Sequence, residues 1–306
     1  MLKKNFKTIK QSQAFSLIEL SIVILIIGIL VAGVTQSSRL VRQIRLTVAQ
    51  SMTRSSEVSA IADLAFWAET TLDNSVINSA GSSQIDDGNS ILTWNDSKFN
   101  NSFKINVSQS NASLQPTFKA DGINGLPSIN FNGVNQTLFS SPTSPLPASD
   151  KNYSLVAVWR SNNNSSIDGR QIVGQTTNPV SFDRLGSIVI QNPGTIGFSG
   201  WANNYFPTSV LVNTNYITII SVNNNVTTNN ISVYNNSNTA STGSSQAPAN
   251  LNLGSGLFYI GGNDAVANYH FSGLISEILV FDRFLKPDEI RAVNGYLSKK
   301  YAIKIN

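Results

Sequence analysis

The stretch FSLIELSIVILIIGILVAGV, residues 15–34, decides how this chain is organised. As a helix, its twenty residues are long enough to cross about 30 Å of hydrocarbon. A secretory signal peptide has a shorter apolar region, of roughly 7–15 residues, followed by a cleavage site of small residues. The sequence therefore predicts a transmembrane helix rather than an ordinary signal peptide.

Four lysines precede this stretch, namely Lys3, Lys4, Lys7 and Lys10. They favour a cytoplasmic N-terminus and an exported C-terminus, although Arg39, Arg42 and Arg45 on the far side weaken the bias. The lysines also equal the whole formal net charge of +4. The rest of the chain is therefore near neutral, which argues against nucleic acid as a partner.

Glu19 is the only ionisable residue in the apolar stretch. A carboxylate at the centre of a membrane helix costs about 2.5–3.5 kcal/mol and is usually there to pair with another group. A position near the membrane interface, with the side chain reaching the headgroups, is the alternative.

Residues 13–20 (QAFSLIEL) resemble the prepilin cleavage and methylation motif of type IV pilins and type II secretion pseudopilins. In that family a membrane peptidase cuts before the Phe and methylates the new amine. The resemblance implies cleavage between Ala14 and Phe15 and modification of Phe15. Family members usually have Gly before the cut, and Ala14 departs from this, which bears on the efficiency of cleavage.

The same resemblance implies that Glu19 meets the N-terminal amine of a neighbouring subunit during assembly. A carboxylate and an ammonium that are buried together offset each other's desolvation, so the pair would fix the register of the subunits. Gly28, Ala32 and Gly33 could let helices approach closely, although glycine is also common in membrane helices in general.

Beyond the apolar stretch, apolar residues recur at spacings of three and four, as in an amphipathic helix. They are Leu40, Val41, Ile44, Val48, Ile61, Leu64, Ala65, Trp67, Ala68 and Leu72. Turn-forming residues dominate between Asp73 and Ser90. The sequence therefore predicts a leader (1–14), a transmembrane and assembly helix (15–80) and a C-terminal domain (90–306).

The C-terminal domain contains short runs of β-forming residues separated by Gly, Asn, Pro and Ser, the pattern of an antiparallel sandwich. These runs are residues 153–159, 187–190, 216–222, 231–234, 257–260 and 275–281. Residues 287–301 form a predicted helix, with Pro287 at its start and Ile290, Val293 and Leu297 on one face. The predicted fold class is α+β.

Several segments resemble the concanavalin A-like, laminin G-like jelly-roll family. They are LPSINFNG (126–133), YSLVAVW (153–159), the strand end at 258–262 and ISEILVFDRFLKPDEIRAVNGYLSKKYAI (275–303). Together they cover most of residues 94–303. The resemblance implies a jelly roll for this domain, and a fold more than a function. With the apolar stretch, the predicted architecture is a long N-terminal transmembrane helix followed by an antiparallel β-sandwich.

Few residues suit catalysis. The sequence has no cysteine, and His270 is its only histidine, which excludes thiolate and multi-histidine metal sites. A glycoside hydrolase needs two carboxylates about 5–5.5 Å or roughly 6.5–9.5 Å apart, and Glu277 with Asp282 is the nearest candidate pair. A structural role for Glu277 is preferred, so no catalytic residue is predicted and the chain is not expected to be an enzyme.

Asp86, Asp87 and Asp121 are candidate calcium ligands, because Ca²⁺ takes carboxylate and carbonyl oxygens. The same residues also suit ordinary turns. Calcium is the only cofactor that the sequence suggests.

A sugar site would combine an exposed aromatic ring with amide side chains. The best candidate is the loop that contains Trp201, Asn203, Asn204 and Tyr205, although Trp201 could instead pack in the core or at a subunit contact. Two other tryptophans are expected in the core, Trp94 and Trp159.

Taken together, these patterns predict a structural subunit with an adhesive head. It would be processed by a prepilin peptidase and would join other pilin-like subunits in a type IV pilus or a type II secretion pseudopilus. Its place would be the bacterial inner membrane, then a periplasmic or cell-surface fibre, and its partners would include glycans or environmental surfaces. Its bulk suggests a minor or tip subunit. The alternatives are a membrane-tethered carbohydrate-binding module and a surface glycoside hydrolase.

Overall fold

A computed structural model describes residues 17–99, 103–140, 143–149, 151–164, 170–176, 186–191, 194–200, 204–224, 231–241, 253, 256–262 and 269–306. The chain divides into two compact units, Met1–Ile44 and Arg45–Asn306.

The described residues form two α-helices, α1 (Leu17–Arg54) and α2 (Pro287–Tyr301). The strands are β1 (Leu64–Glu69), β2 (Val76–Asn78), β3 (Ile91–Trp94), β4 (Val107–Ser108), β5 (Thr117–Lys119), β6 (Ser128–Asn132), β7 (Leu138–Ser140), β8 (Tyr153–Ser161), β9 (Arg170–Thr176), β10 (Gly186–Gln191), β11 (Thr195–Ser199), β12 (Tyr205–Ser209), β13 (Asn215–Val222), β14 (Ile231–Asn235), β15 (Leu257–Ile260) and β16 (Ser272–Phe281). Short 3-10 helices lie at Glu57–Ala60, Ala112–Leu114 and Ile123–Gly125.

Helix α1 is 38 residues long. Within the described part of the chain it is the one helix long and apolar enough to span a membrane, as the sequence predicts. The side chains from Leu17 to Val34 are exposed to the surroundings. After Arg54 the helix gives way to a 3-10 turn whose N-cap is Ser56, where the hydroxyl accepts a hydrogen bond from the Val58 N–H at 3.1 Å.

The helical interpretation of residues 61–72 is wrong, because residues 64–69 form strand β1 and pair with β16. Phe66 and Ala68 face the core between the sheets, whereas Trp67 faces the opposite, equally buried side. A strand that is buried on both faces carries apolar residues at adjacent positions, and these can imitate helical spacing. Strand β1 therefore precedes the turn-rich residues 73–90 at which the boundary was predicted, and β2 lies within them.

The strands form two sheets. Sheet I has the order β14-β13-β8-β16-β6-β5, with β1 paired beside β16, and sheet II has the order β12-β11-β10-β9-β15-β7-β4-β3-β2. All pairings between these named strands are antiparallel. The six strands predicted from residue 153 onward are confirmed as β8, β10, β13, β14, β15 and β16.

The central strands of sheet I, β8, β13 and β16, are buried on both sides. In β8, Leu155, Ala157 and Trp159 pack into the core between the two sheets. Val156 and Val158 of the same strand pack into a second core under the helices. Trp159 and the equally buried Trp94 are core residues, as predicted.

Helix α2 covers the outer face of sheet I. It spans the predicted residues 287–301, and the predicted apolar face of Ile290, Val293 and Leu297 is fully buried. Glu289 supports its first turn by accepting a hydrogen bond from the Lys286 N–H at 2.8 Å.

Candidate functional site

Glu19 lies in the first turn of α1, and its side chain is exposed together with the apolar residues around it. A side-chain carbon added at Gly28 or Gly33 would meet nothing within 4 Å, so both positions leave room for another helix. Ala14 and Phe15, the predicted processing residues, lie outside the described residues. This segment therefore has an apolar, exposed surface with one carboxylate, Glu19, in its first turn.

The predicted sugar-binding loop is described only in part, since Trp201 and Asn203 lie outside the described residues. Asn204 is exposed and accepts a hydrogen bond from the Ser199 hydroxyl at 3.1 Å. Tyr205 packs in the core between the sheets, and its hydroxyl donates to the Ser241 carbonyl at 2.9 Å. Burial raises the pKa of Tyr205. Its ring is therefore largely closed to solvent, and a sugar site at this loop stays a prediction.

The candidate calcium residues lie on and beside a turn. Asp87 forms an ion pair with Lys119 at 2.9 Å and accepts a hydrogen bond from the Ala120 N–H at 2.7 Å. Asp86 and Asp121 are exposed. Among the described residues, no group of three or more His, Cys, Asp or Glu is placed to hold a metal ion. Calcium binding remains a prediction, and any ion at Asp87 would compete with the Lys119 ammonium.

The candidate acid Glu277 lies at the centre of a buried polar cluster. The cluster consists of Glu277 on β16, Glu69 on β1 and Lys300 on α2, with Trp67, Tyr296 and Tyr301 around them. The Lys300 Nζ lies 2.8 Å from Glu277 Oε2 and 3.0 Å from Glu69 Oε2, and all three side chains are fully buried.

Both carboxylates have their oxygens occupied by donors. Glu277 Oε1 accepts from Trp67 Nε1 at 2.7 Å and from the Tyr296 hydroxyl at 2.9 Å, and Oε2 accepts from the Tyr301 hydroxyl at 2.9 Å. Glu69 accepts from the N–H groups of Thr71 and Leu72 at 2.7 and 2.8 Å. A carboxylate whose oxygens all accept hydrogen bonds and which is closed to solvent stabilises the fold. This agrees with the structural role that the sequence analysis preferred for Glu277.

The cluster is linked to the end of α1. The Thr53 hydroxyl lies 3.0 Å from the Tyr296 hydroxyl, which in turn donates to Glu277. Asp282, the other member of the candidate hydrolase pair, is exposed. His270 is buried and forms an isolated bridge with Gln171.

Sequence reasoning missed Glu69, Tyr296 and Lys300. One signal could have found Lys300, because it follows Leu297 by three positions and therefore falls on the apolar face of α2. A lysine on a buried face requires a buried anion, and the glutamates of the domain are few. Glu69 could not be recognised as a buried charge in the same way, because residues 61–72 were interpreted as a helix.

Two family models match the sequence. The model described as the prokaryotic N-terminal methylation motif matches residues 9–35. The model described as the concanavalin A-like lectin/glucanases superfamily matches residues 132–291, just over half of the chain. A search of curated proteins gave no significant match.

Several solved structures are similar in fold. A Trypanosoma rangeli sialidase in complex with sialic acid has a TM-score of 0.50 and 15% identity over 80% of this chain. The chain spans about a third (34%) of that sialidase. The binding domain of Paraclostridial Mosquitocidal Protein 1 has a TM-score of 0.49 and 13% identity, covering 78% of this chain and 52% of its own. Domain 4 of AbnA, an extracellular arabinanase from Geobacillus stearothermophilus, has a TM-score of 0.38 and 16% identity, covering 57% and 79%. At such identities the sialidase likeness shows the fold alone.

Proposed function

Because this chain belongs to the concanavalin A-like lectin/glucanases superfamily and carries the prokaryotic N-terminal methylation motif, we propose that it is a pilin-like subunit. The lectin-like domain is its head, which binds glycans or other surfaces, and the helix α1 is its assembly element. The observation that carries the proposal is Glu19, a single carboxylate that lies in an exposed apolar helix and within the matched methylation motif. Such a residue is expensive in a membrane unless it has a partner.

The size of the head favours a minor or tip subunit. Residues 45–306 form one compact unit, whereas head-to-tail contacts in a fibre repeat at every subunit and must accommodate every head. A terminal position removes this constraint and leaves the head open to a ligand. The fibre is a type IV pilus or a type II secretion pseudopilus, and a prepilin peptidase prepares the subunit for it.

The main alternative is a carbohydrate-binding module that stays tethered to the membrane. The same exposed apolar helix supports it, but it gives Glu19 no role. A surface glycoside hydrolase has less support, because Glu277 is buried and saturated by donors.

Replacement of Glu19 separates the fibre from the tether. We expect Glu19→Gln to keep the protein in the membrane fraction and to remove it from sheared fibres, because the neutral amide cannot neutralise a buried ammonium. Glu57→Gln changes an exposed glutamate of the same chain and is the matched control. Normal recovery of the Glu19→Gln protein in sheared fibres would contradict the proposal and favour the tethered module.

A further inference from the structure

A pocket of about 430 Å³ opens between two loops of the head. One loop joins β1 to β2 and the other joins β3 to β4. Its lining includes Asn74, Asp96, Ser97, Phe99, Lys104 and Asn106. Its volume lies within the range of about 300–1,000 Å³ that is usual for small-molecule sites.

The lining includes an exposed but anchored aromatic ring. Phe99 is 48% exposed, and its ring packs edge-to-face on the fully buried Trp67, with the ring centroids 5.8 Å apart. Trp67 is in turn held by its hydrogen bond to Glu277. An aromatic ring that is fixed from below and open above is suited to contact a flat apolar ligand surface.

Hydrogen bonds hold the described parts of the two loops, and those accepted by Asp96 are buried. Asp96 accepts from the N–H groups of Trp67, Lys98 and Ile105 at 3.2, 3.1 and 3.2 Å. The Asn95 side chain donates to the Asn74 carbonyl at 2.7 Å. The lining residues that these bonds fix are in place before any ligand arrives, which lowers the entropic cost of binding.

Several polar groups at the pocket have no hydrogen-bond partner among the described residues. Within the described residues, no hydrogen bond engages the Asn74 side chain, the Ser97 hydroxyl or the side-chain nitrogen of Asn106. The carboxylates are occupied instead, because Asp96 pairs with Lys98 at 3.4 Å and Asp73 lies 3.7 Å from Arg54. Amides and hydroxyls that both donate and accept, rather than charges, are thus the free groups of the lining, apart from the Lys104 ammonium.

We propose that this pocket binds a neutral pyranose unit of a glycan, with Phe99 under the apolar face of the sugar and Asn74, Ser97 and Asn106 on its hydroxyls. The inference rests on the proposed function, since it gives the lectin-like head a binding site. It differs from the sequence prediction, which placed the sugar at the loop around Trp201.

The test uses the full chain in detergent and four probes, the methyl glycosides of glucose, galactose, mannose and N-acetylglucosamine. Saturation-transfer NMR measures binding of each. We expect at least one probe to bind with a millimolar Kd. Phe99→Ala should weaken that binding at least about tenfold, the size expected for loss of an aromatic contact, and Phe99→Tyr should preserve it. Phe103→Ala is the matched control, because Phe103 is 60% exposed but does not line the pocket.

Two results would overturn the inference. One is the absence of binding by all four probes, and the other is binding that Phe99→Ala leaves unchanged. If such persistent binding is lost in Trp201→Ala, the sugar site lies at Trp201, and the lectin-like head stands without this pocket. Fibre assembly is measured separately through Glu19, so failure of the pocket and failure of the pilin-like proposal are distinguishable.

Discussion

At the scale of single residues, the buried cluster of Glu69, Glu277 and Lys300 sets the strongest constraint on the head. Two carboxylates share one ammonium, and hydrogen bonds from Trp67 and the tyrosines complete the solvation of Glu277. Removal of one member of a buried ion pair leaves an uncompensated charge, which destabilises far more than loss of a surface pair. The cluster is therefore expected to respond sharply to substitution.

We expect Lys300→Met to lower the free energy of unfolding by about 3–5 kcal/mol, because both glutamates lose their buried cation. Lys299→Met is the matched control, since Lys299 is exposed on the same helix turn, and its effect should stay within about 0.5 kcal/mol. Urea denaturation in detergent, followed by tryptophan fluorescence, measures both. Equal effects of the two substitutions would contradict the assignment of Lys300 to a stabilising cluster.

The cluster also predicts loss of stability at alkaline pH. Burial alone would lower the pKa of Lys300, but the charges and hydrogen bonds of Glu277 and Glu69 outweigh it, so the pKa lies above its ordinary 10.5. Burial, with the charge of Glu277, raises the pKa of Tyr296 and Tyr301 well above the ordinary 10.0. Groups with a raised pKa in the folded state stabilise it fully below their unfolded pKa, and this contribution is lost as the pH rises through the folded pKa.

The free energy of unfolding should therefore fall as the pH rises past about 10, where the unfolded chain begins to release these protons. Tyr296→Phe removes one titrating group and should make the decline less steep. Denaturation curves at a series of pH values test this. A decline that is equally steep in Tyr296→Phe would argue against a contribution from this tyrosine.

At the scale of elements, the last turns of α1 belong to the core of the head. Ala49 is only 2% exposed and packs in the core under the helices, while Thr53 contacts Tyr296 of α2. Val48, one position earlier, is 46% exposed. In this turn, one side of the helix, with Ala49, is therefore buried, and the other, with Val48, is exposed to solvent.

We expect Ala49→Asp to destabilise the head by about 3 kcal/mol or more, since it buries an unpaired charge. Val48→Asp adds the same charge on the open side and should change the melting temperature little. Thermal unfolding monitored by circular dichroism compares the two variants. A large loss of stability in Val48→Asp, or none in Ala49→Asp, would refute this packing of α1.

Elements with an unambiguous pattern could be predicted from the sequence, and β1 shows where the pattern fails. Helix α2 has Pro287 at its start and one apolar face, and β8 is a run of β-formers bounded by turn residues. In β1, both faces are buried, so spacing alone did not distinguish helix from strand. The strand requires β16 as a partner, and a pairing across some two hundred residues leaves no local trace.

At the scale of the molecule, the features that could be predicted from the sequence are again those that neighbouring residues determine. The features of Glu19 are local, because a motif and an apolar stretch surround it, and the methylation motif is confirmed by its family model. The cluster of Glu69, Glu277 and Lys300 joins three distant segments, and the pocket at Phe99 joins two loops. Sites that arise only when distant segments pack together could not be read from neighbouring residues.

The two parts of the chain have surfaces that suit different surroundings. The helix exposes apolar residues from Leu17 to Val34, which suit hydrocarbon or other helices. The head buries its apolar residues in two cores and is built without cysteine. This combination fits the proposed pilin-like subunit, whose helix would be inserted in the membrane before assembly.

The most direct test of the central claim is the intact mass and N-terminal sequence of the protein from native membranes and sheared surface fractions. A pilin-like subunit should begin at Phe15 with a methylated amine, having lost residues 1–14. A chain that still begins at Met1 in both fractions would contradict prepilin processing and would leave a tethered module in its place.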